Sequence, residues 1–166
     1  MSENIRSQSF DLIGIQECQR NRYPLLFVDK ITNVIPGEKA SGIKCFTYNE
    51  WFFPPHFDDE PNVPGFVQLE CLVQTFIMTF LCMEEHKGKK TNFAGINNVK
   101  FKRKIIPGDR LNINANLESF KRGIAKGTAV SFVDGEPACS AELIVTLPDV
   151  FENFKPKKLA IEVKND

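Results

Sequence analysis

The longest apolar stretch of the chain runs from Phe66 to Met83 and predicts a buried helix. Its sequence, FVQLECLVQTFIMTFLCM, contains one charged side chain, Glu70, and neither Gly nor Pro. A helix of this length spans roughly 27 Å, and because it is apolar on nearly every side it must lie inside protein or lipid. Polar side chains such as Gln68 and Gln74 would be costly in hydrocarbon, so we interpret the stretch as the core helix of a soluble protein.

The other hydrophobic positions predict a short helix over residues 10–18, followed by extended strands. The segment RYPLLFVDKITNVI, the turn PGEK and the segment ASGIKCFTYN predict a hairpin. After the long helix, FAGINNVKFKRKI predicts a strand, and RLNINANLESF, IAKGTAVSFV and PACSAELIVTL predict an antiparallel meander. The reversals of this meander fall at Lys121-Arg122-Gly123 and at Asp134-Gly135, and Asp-Gly is a preferred hairpin dipeptide.

Together these elements predict an α+β fold. A long central helix that is apolar all round is best buried by a curved antiparallel sheet of about six strands that wraps it, which is an arrangement of the hotdog type. The length of 166 residues suits one domain with a sizeable core. We therefore expect a single domain over residues 1–166, with its core at about 10–147 and a C-terminal extension at 148–166.

Charge and cysteine usage narrow the functional classes. The 21 basic and 21 acidic residues cancel, which argues against a nucleic-acid partner. The N-terminal MSENIRSQSF lacks the charged-then-apolar layout of a signal peptide. The five cysteines form no CxxC pair and no Cys/His spacing suited to zinc. We expect buried free thiols, a cytoplasmic location, no membrane association and no metal site.

The two histidines have different surroundings. His86 follows two glutamates and precedes a lysine, which predicts an exposed residue at the end of the helix. His56 lies in the loop NEWFFPPHFDDEPNVPG, where Pro54 and Pro55 restrict the backbone and can aim the side chain. A lone histidine of this kind is more often packed and hydrogen-bonded than catalytic, so its neighbours in the fold decide its role.

Glu70 and Gly65 supply the other candidate chemistry. Glu70 falls in the second turn of the helix, and a buried carboxylate is costly unless it is paired, so we expect it to pair with His56. The alternative is that Glu70 caps backbone amides or meets a lysine. Gly65 opens the helix with Pro64, and because the first amides of a helix have no acceptor within it, the Gly65 amide can stabilise a carbonyl oxygen that gains negative charge. The alternative is an ordinary helix start.

The run NEWFFPPHFDDEPNVPGFVQLECLVQ resembles the signature of the 3-hydroxyacyl-[acyl-carrier-protein] dehydratases of type II fatty acid synthesis, roughly NEPFFxGHFPxxPxxPGVLxxEAxAQ. The likeness includes RYPLLFVDKI, FAGINNVKFKRKIIPGD, KRG and VDG, and it covers residues 12–147. A glutamate at the acid position resembles the FabZ-type branch. The resemblance implies a hotdog fold, dehydration of 3-hydroxyacyl thioesters on acyl carrier protein to trans-2-enoyl thioesters, and no metal or redox cofactor.

The resemblance also implies roles for individual residues. His56 would remove the α-proton, and Gly65 would bind the thioester oxygen. Glu70, directly or through a water, would help protonate the departing β-hydroxyl. The histidine and the acid would come from opposite subunits of a homodimer, which can assemble further into a trimer of dimers. Phe93 and Gly95 fall at substrate-binding positions. The segment VKFKRK would supply a docking surface for the acidic carrier protein. The alternative is that this segment is an ordinary solvated strand face. The basic residues of the segment are Lys100, Lys102, Arg103 and Lys104.

The chain departs from the family pattern near the candidate site. Pro55 replaces a glycine before the histidine, acidic residues at 58–60 follow it, Asn21 replaces the histidine of HRYP, and Thr91-Asn92 replaces an aromatic pair. We therefore expect a specialised relative of the fatty-acid-synthesis enzyme. Two alternatives remain: a hotdog thioesterase in which the carboxylate activates water, and a non-catalytic acyl-binding subunit, which the acidic run favours. The retained spacing of His56 and Glu70 favours the dehydratase.

Overall fold

The computed structural model describes residues 7–154, in which one antiparallel sheet of seven strands packs around a long helix. The predicted extension at 148–166 lies partly outside the described residues. The strands are β1 (Gln8–Phe10), β2 (Lys30–Ile35), β3 (Lys39–Cys45), β4 (Asn92–Phe101), β5 (Arg110–Lys121), β6 (Ile124–Val133) and β7 (Glu136–Thr146). The helices are α1 (Leu12–Cys18), α2 (Gly65–Leu81) and α3 (Pro148–Phe151), and a 3₁₀ turn follows at Glu152–Phe154.

The sheet has the strand order β1-β2-β3-β5-β6-β7-β4, and every neighbouring pair is antiparallel. Helix α2 packs against β2, β3, β5, β6 and β7, so the sheet curves around it. Among residues 7–154, strand β4 pairs only with β7, so its other edge has no strand partner there. The predicted α+β arrangement is confirmed, with one strand more than expected because the three-residue β1 adds to β2.

The burial of α2 explains its composition. Every residue from Cys71 to Leu81 is buried, so a polar face on this part of the helix would be left without water. The Thr75 hydroxyl donates to the Cys71 carbonyl at 3.0 Å and the Thr79 hydroxyl donates to the Phe76 carbonyl at 2.7 Å. The helix therefore satisfies these two hydroxyls internally.

The two predicted reversals of the meander are confirmed. Arg122 and Gly123 have φ values of 53° and 75°, and Asp134 and Gly135 have φ values of 51° and 83°. Positive φ at both central residues is the geometry of a two-residue turn whose twist matches that of the flanking strands. These turns fix the register of β5, β6 and β7.

The strand predicted for RYPLLFVDKITNVI begins only at Lys30. Before it, the amides of Phe27 and Val28 donate to Oε1 of Gln74 at 2.9 and 3.3 Å. The Gln74 Nε2 group donates in return to the Leu25 carbonyl at 2.6 Å. This apolar segment thus satisfies part of its backbone with a side chain of α2 instead of a neighbouring strand.

Two expectations about single residues are wrong. His86 is half-buried and meets the Phe120 ring edge-on at 5.0 Å, and burial lowers the pKa of its imidazole. Cys45 is exposed, whereas the other four cysteines are buried, and all five are free. Within residues 7–154, no helix has both the length and the apolar character that a membrane crossing requires.

Candidate active site

An aromatic loop, residues 46–64, leads from β3 to the start of α2. Phe52 is buried at its centre and packs edge-on against Phe27, Phe46 and Trp51, with ring centroids 6.2, 6.1 and 5.5 Å apart. Such edge-to-face contacts add stability beyond the area that they bury. The first half of the loop is therefore held by packed rings.

A buried lysine fixes the same loop to the sheet. Lys44 of β3 is 6% exposed, and its Nζ lies 2.5 Å from the Glu50 carboxylate and 3.6 Å from that of Asp29. Burial lowers the pKa of Lys44, but the hydrogen bond with Glu50 and the charges of both carboxylates outweigh burial and raise it. Lys44 therefore stays charged and ties the beginning of the loop to β3 and to Asp29, the residue before β2.

His56 is oriented by the second half of the loop. Its Nδ1 lies 3.0 Å from the Asn62 carbonyl oxygen, and the Asn62 amide donates back to the His56 carbonyl at 3.0 Å. Because a carbonyl only accepts, Nδ1 carries the proton in the neutral ring and Nε2 carries the free electron pair. The ring stacks on Phe57 with centroids 4.5 Å apart. His56 is thus held in the tautomer that a general base requires.

The N-terminus of α2 faces the same space. Pro64 is the N-cap and makes no side-chain cap, and among the hydrogen bonds of the described residues none starts from the amides of Gly65 or Phe66. A cavity of about 400 Å³ contains His56 and Gly65 together with Gln68, Phe101 and residues 102–104. The unpaired amide of Gly65 and the imidazole of His56 can therefore meet one bound molecule in this cavity.

A second, more apolar cavity of about 340 Å³ also borders the two residues. Trp51, Pro55 and Phe66 contribute to its walls beside His56 and Gly65. His56 and Gly65 thus border both a cavity lined by polar and basic side chains and a cavity lined by apolar ones. That combination suits a thioester attached to an acyl chain.

Glu70 does not lie with His56 and Gly65. It is half-buried, and its Oε1 accepts hydrogen bonds from Asn21 Nδ2 at 3.0 Å and from Gln74 Nε2 at 2.8 Å. It borders neither of the two cavities that contain His56. Within one chain, therefore, the structure brings together His56 and Gly65 but leaves Glu70 in contact with amides.

The candidate substrate-binding and docking residues lie in three different places. Phe93 and Gly95 lie on the edge strand β4, where Phe93 is 47% exposed. Lys102, Arg103 and Lys104 border the cavity of His56. Lys100 borders a different cavity on the sheet surface together with Asn114. Three of the four basic residues are thus next to the candidate site.

The acidic run after His56 is partly neutralised. Glu60 forms an ion pair with Lys104, while Asp58 and Asp59 are exposed to solvent. The Arg103 guanidinium donates to the Val133 carbonyl at 3.2 Å and lies 3.9 Å from the Asp109 carboxylate. The rim of the cavity therefore carries mixed charge.

Sequence reasoning missed two contacts of the acid. Gln74 stands four residues after Glu70 on α2, a spacing at which helical side chains meet, so this contact could have been predicted. The contact with Asn21 depends on how the segment after α1 crosses the helix. Neither spacing nor composition indicates that crossing.

Comparison with known proteins finds one family model and curated relatives of the same kind. The model of the FabA-like domain matches residues 20–142. The 3-hydroxyacyl-[acyl-carrier-protein] dehydratase FabZ of Clostridium novyi is 43% identical over 135 residues, which is 80% of this chain and 95% of that protein. FabZ of Bacillus cereus is 42% identical over 139 residues, which is 84% of this chain and 96% of that protein.

Solved structures share the fold. The dehydratase heterocomplex ApeI:P from Xenorhabdus doucetiae contains a chain that matches with a TM-score of 0.71 at 14% identity, covering 81% of this chain and 90% of that one. The (R)-hydratase from A. caviae matches with a TM-score of 0.51 at 25% identity, covering 68% of this chain and 96% of that one. The long helix wrapped by a curved sheet is therefore an architecture that other proteins also adopt.

Proposed function

The chain belongs to the FabA-like family, in which it is a FabZ-type dehydratase of 3-hydroxyacyl-[acyl-carrier-protein], and we propose that His56, Gly65 and Glu70 carry the reaction. The observation that carries this proposal is that one cavity is bordered both by His56, whose Nδ1 faces the Asn62 carbonyl, and by Gly65, whose amide makes no hydrogen bond among the described residues. A base and an amide donor at one cavity suit removal of a proton next to a thioester carbonyl.

The reaction begins at the α-carbon of the 3-hydroxyacyl thioester. The Gly65 amide donates to the thioester oxygen, and the N-terminal end of α2 favours the negative charge that develops there. Nε2 of His56 takes the α-proton, while Nδ1–H stays on the Asn62 carbonyl and stabilises the imidazolium. Because the Asn62 carbonyl holds the ring, the base is oriented before the substrate arrives.

The second half of the reaction removes the β-hydroxyl. Glu70 in its acid form donates a proton to this hydroxyl, the C–O bond breaks and water leaves. The electron pair of the broken C–H bond becomes the second bond of the trans-2-enoyl thioester. A proton that passes from His56 to Glu70 restores both groups for the next turnover.

We infer that His56 of one subunit works with Glu70 of a second copy of the chain. Two observations support a homodimer: Glu70 borders neither cavity of His56, and β4 offers an unpaired edge whose residues are exposed or half-buried. An edge strand of this kind is a template for pairing with another chain. Pairing at β4 would cover Phe93 and Phe101, which are 47% and 51% exposed, and would bring Phe93 and Gly95 toward the substrate.

The carrier protein presents its substrate on a phosphopantetheine arm and is acidic in this family. Lys102 and Arg103 at the rim of the His56 cavity suit the phosphate and the carboxylates of such a partner. Lys104 is engaged by Glu60 in the free protein, so docking would compete with that ion pair. Lys100 borders a different cavity and would contact the body of the carrier.

The test uses 3-hydroxyacyl thioesters and records double-bond absorbance and free thiol separately. Dehydration should be lost in His56→Ala and in Glu70→Gln. Thiol release without enoyl product would instead indicate a thioesterase, and acyl binding without turnover would indicate a non-catalytic subunit. Co-expression of the two inactive variants gives the decisive result for the dimer. Random pairing should restore about 25% of wild-type activity if the two residues act across subunits, and none if they act within one chain.

A further inference from the structure

Asn21 stands where the family motif HRYP has its histidine, and its side chain reaches the proposed acid. Its Nδ2 lies 3.0 Å from Oε1 of Glu70. We propose that Asn21 is a positioning residue that turns Oε2 of Glu70 toward the substrate and does so without adding a charge. This inference rests on the proposed role of Glu70 as the general acid.

Gln74 determines which oxygen of Glu70 is held. Its Oε1 accepts from the Phe27 amide at 2.9 Å, and its Nε2 donates to the Leu25 carbonyl at 2.6 Å and to Oε1 of Glu70 at 2.8 Å. The backbone contacts fix which end of the Gln74 amide is the donor. Oε1 of Glu70 is therefore an acceptor whether the acid is ionised or protonated.

The contact from Asn21 completes this arrangement. Because Oε1 of Glu70 is an acceptor, the NH₂ end of Asn21 must face it. Two N–H donors then occupy the lone pairs of Oε1, and the transferable proton of Glu70 resides on Oε2. The amides of Asn21 and Gln74 thus hold Oε1 of Glu70 and leave Oε2 to donate the proton to the substrate.

The segment that carries Asn21 is itself held in place. The Arg22 guanidinium donates to the carbonyls of Asn21, Gln19 and Gln16 at 2.7, 2.8 and 2.8 Å. Gln19 is buried and caps the end of α1, and its Nε2 donates to the Gln74 carbonyl at 3.4 Å. Asn21 is thus presented by backbone tied to α1 and α2, as a positioning role requires.

The neighbouring ionisable groups leave the charge at position 21 as the adjustable factor. Cys71 on α2 is buried, and burial raises the pKa of its thiol, so it is neutral. Arg20 and Lys90 border the same small cavity as Asn21, and Arg20 donates to the Gly88 carbonyl. Lys44, Asp29 and Glu50 act on the same Cys71 thiol and are paired with one another. Arg22 is engaged as described, and the proposed dimer adds the His56 of the second copy. An anion at position 21 should raise the pKa of Glu70 and a cation should lower it.

The experiment compares Asn21→Ala, Asn21→Asp and Asn21→His with the wild type over a range of pH. In Asn21→Ala, kcat should fall by about tenfold to a hundredfold with KM within about twofold, because general acid catalysis contributes about 10²–10⁴ and depends on orientation. The pH limb that belongs to Glu70 should move up in Asn21→Asp and down in Asn21→His. Asn21→His should also regain most of the kcat lost in Asn21→Ala, since an imidazole N–H replaces the amide donor.

A readout without turnover accompanies the kinetics. In protein labelled with ¹³C at the glutamate carboxyl carbons, the Glu70 signal is identified by its absence in Glu70→Gln, and its titration should shift in the same two directions. Thr91→Ala is the matched control, because Thr91 borders the same cavity and has no hydrogen bond to Glu70 among the described residues. Thermal unfolding confirms that each variant is folded.

The outcomes separate this inference from the proposed function. If Glu70→Gln is inactive but the three Asn21 variants keep the wild-type limb and the wild-type NMR titration, the positioning role is overturned and the acid stands. Equal losses of kcat in all three variants with an unmoved limb would also overturn it, since that is the signature of a merely structural contact. If Glu70→Gln remains active, the proposed function itself fails.

Discussion

Replacing Gly65 by Ala should remove most of the activity and leave the stability nearly unchanged. An added Cβ would lie 3.0 Å from Cζ and 3.3 Å from Cε1 of the Phe101 ring, where ordinary contacts are 3.4–4 Å. Phe101 is 51% exposed within one chain and would be covered by the second copy in the proposed dimer, so moving its ring by a few tenths of an ångström should cost about 1 kcal/mol. Ala gains up to about 1 kcal/mol over Gly in helix propensity. The two effects on the free energy of unfolding should nearly cancel.

The loss of activity has a different origin. The new methyl group and the displaced ring crowd the space from which a thioester oxygen approaches the Gly65 amide. Removal of one oxyanion donor costs about 10²–10³ in kcat, so we expect kcat/KM to fall by about a hundredfold. Urea denaturation measures the stability, and the appearance of the enoyl double bond measures the rate.

A second substitution tests the steric reason. In Gly65→Ala/Phe101→Leu the smaller side chain leaves room for the methyl group, and part of the lost rate should return. Wild-type kcat/KM in Gly65→Ala would refute the idea that the substrate oxygen approaches this amide closely. A loss of several kcal/mol in stability would show instead that the Phe101 ring cannot move.

Three further predictions concern stability and thiol chemistry. A thiol reagent at pH 8 should modify one cysteine quickly, and Cys45→Ser should abolish that phase, because burial raises the pKa of each of the other four thiols. Lys44→Met should lower the free energy of unfolding by about 2 kcal/mol, since it leaves the partly buried Glu50 unpaired, and Lys44→Met/Glu50→Gln should recover part of that loss. Because the pKa of Lys44 is raised in the folded protein, its contribution is complete below about pH 10.5 and is lost as the pH rises above that value, so urea midpoints of wild type and Lys44→Met should converge only there. Gly127→Ala should destabilise the fold by about 3 kcal/mol or more, because its Cβ would lie 2.0 Å from the Asn116 carbonyl oxygen; expression with a wild-type urea midpoint would contradict this.

The elements that were predicted correctly from the sequence are those whose hydrophobic pattern follows directly from how they are buried. Helix α2 is apolar on most sides because a sheet surrounds it, and the same burial that makes it visible in the sequence also requires the sheet. Strands β5, β6 and β7 alternate between buried and less buried positions and are joined by turns with positive φ. In each case a local pattern and a long-range contact agree.

The segment before β2 could not be predicted because a single side chain overrides its pattern. Phe27 and Val28 have the composition of a strand, yet their amides belong to Gln74 of α2. The partners of Glu70 within the chain could not be predicted for a similar reason, although we expected it to pair with His56. Composition indicates that a half-buried acid needs partners, but only the fold shows that Asn21 and Gln74 are the partners within the chain.

Helix geometry explains why Glu70 does not border the cavity that His56 and Gly65 share within one chain. Successive residues of an α-helix turn by about 100° and rise by 1.5 Å, so Glu70 lies about 140° around the axis from Gly65 and about 7.5 Å along it. Gln68, which borders the cavity of His56, lies about 160° from Glu70 by the same rule. Gln74, by contrast, lies about 40° from Glu70 and shares its face, in agreement with their hydrogen bond. A loop that brings His56 to the Gly65 face therefore leaves Glu70 on another side of the helix, which supports our proposal that a second copy of the chain supplies the acid.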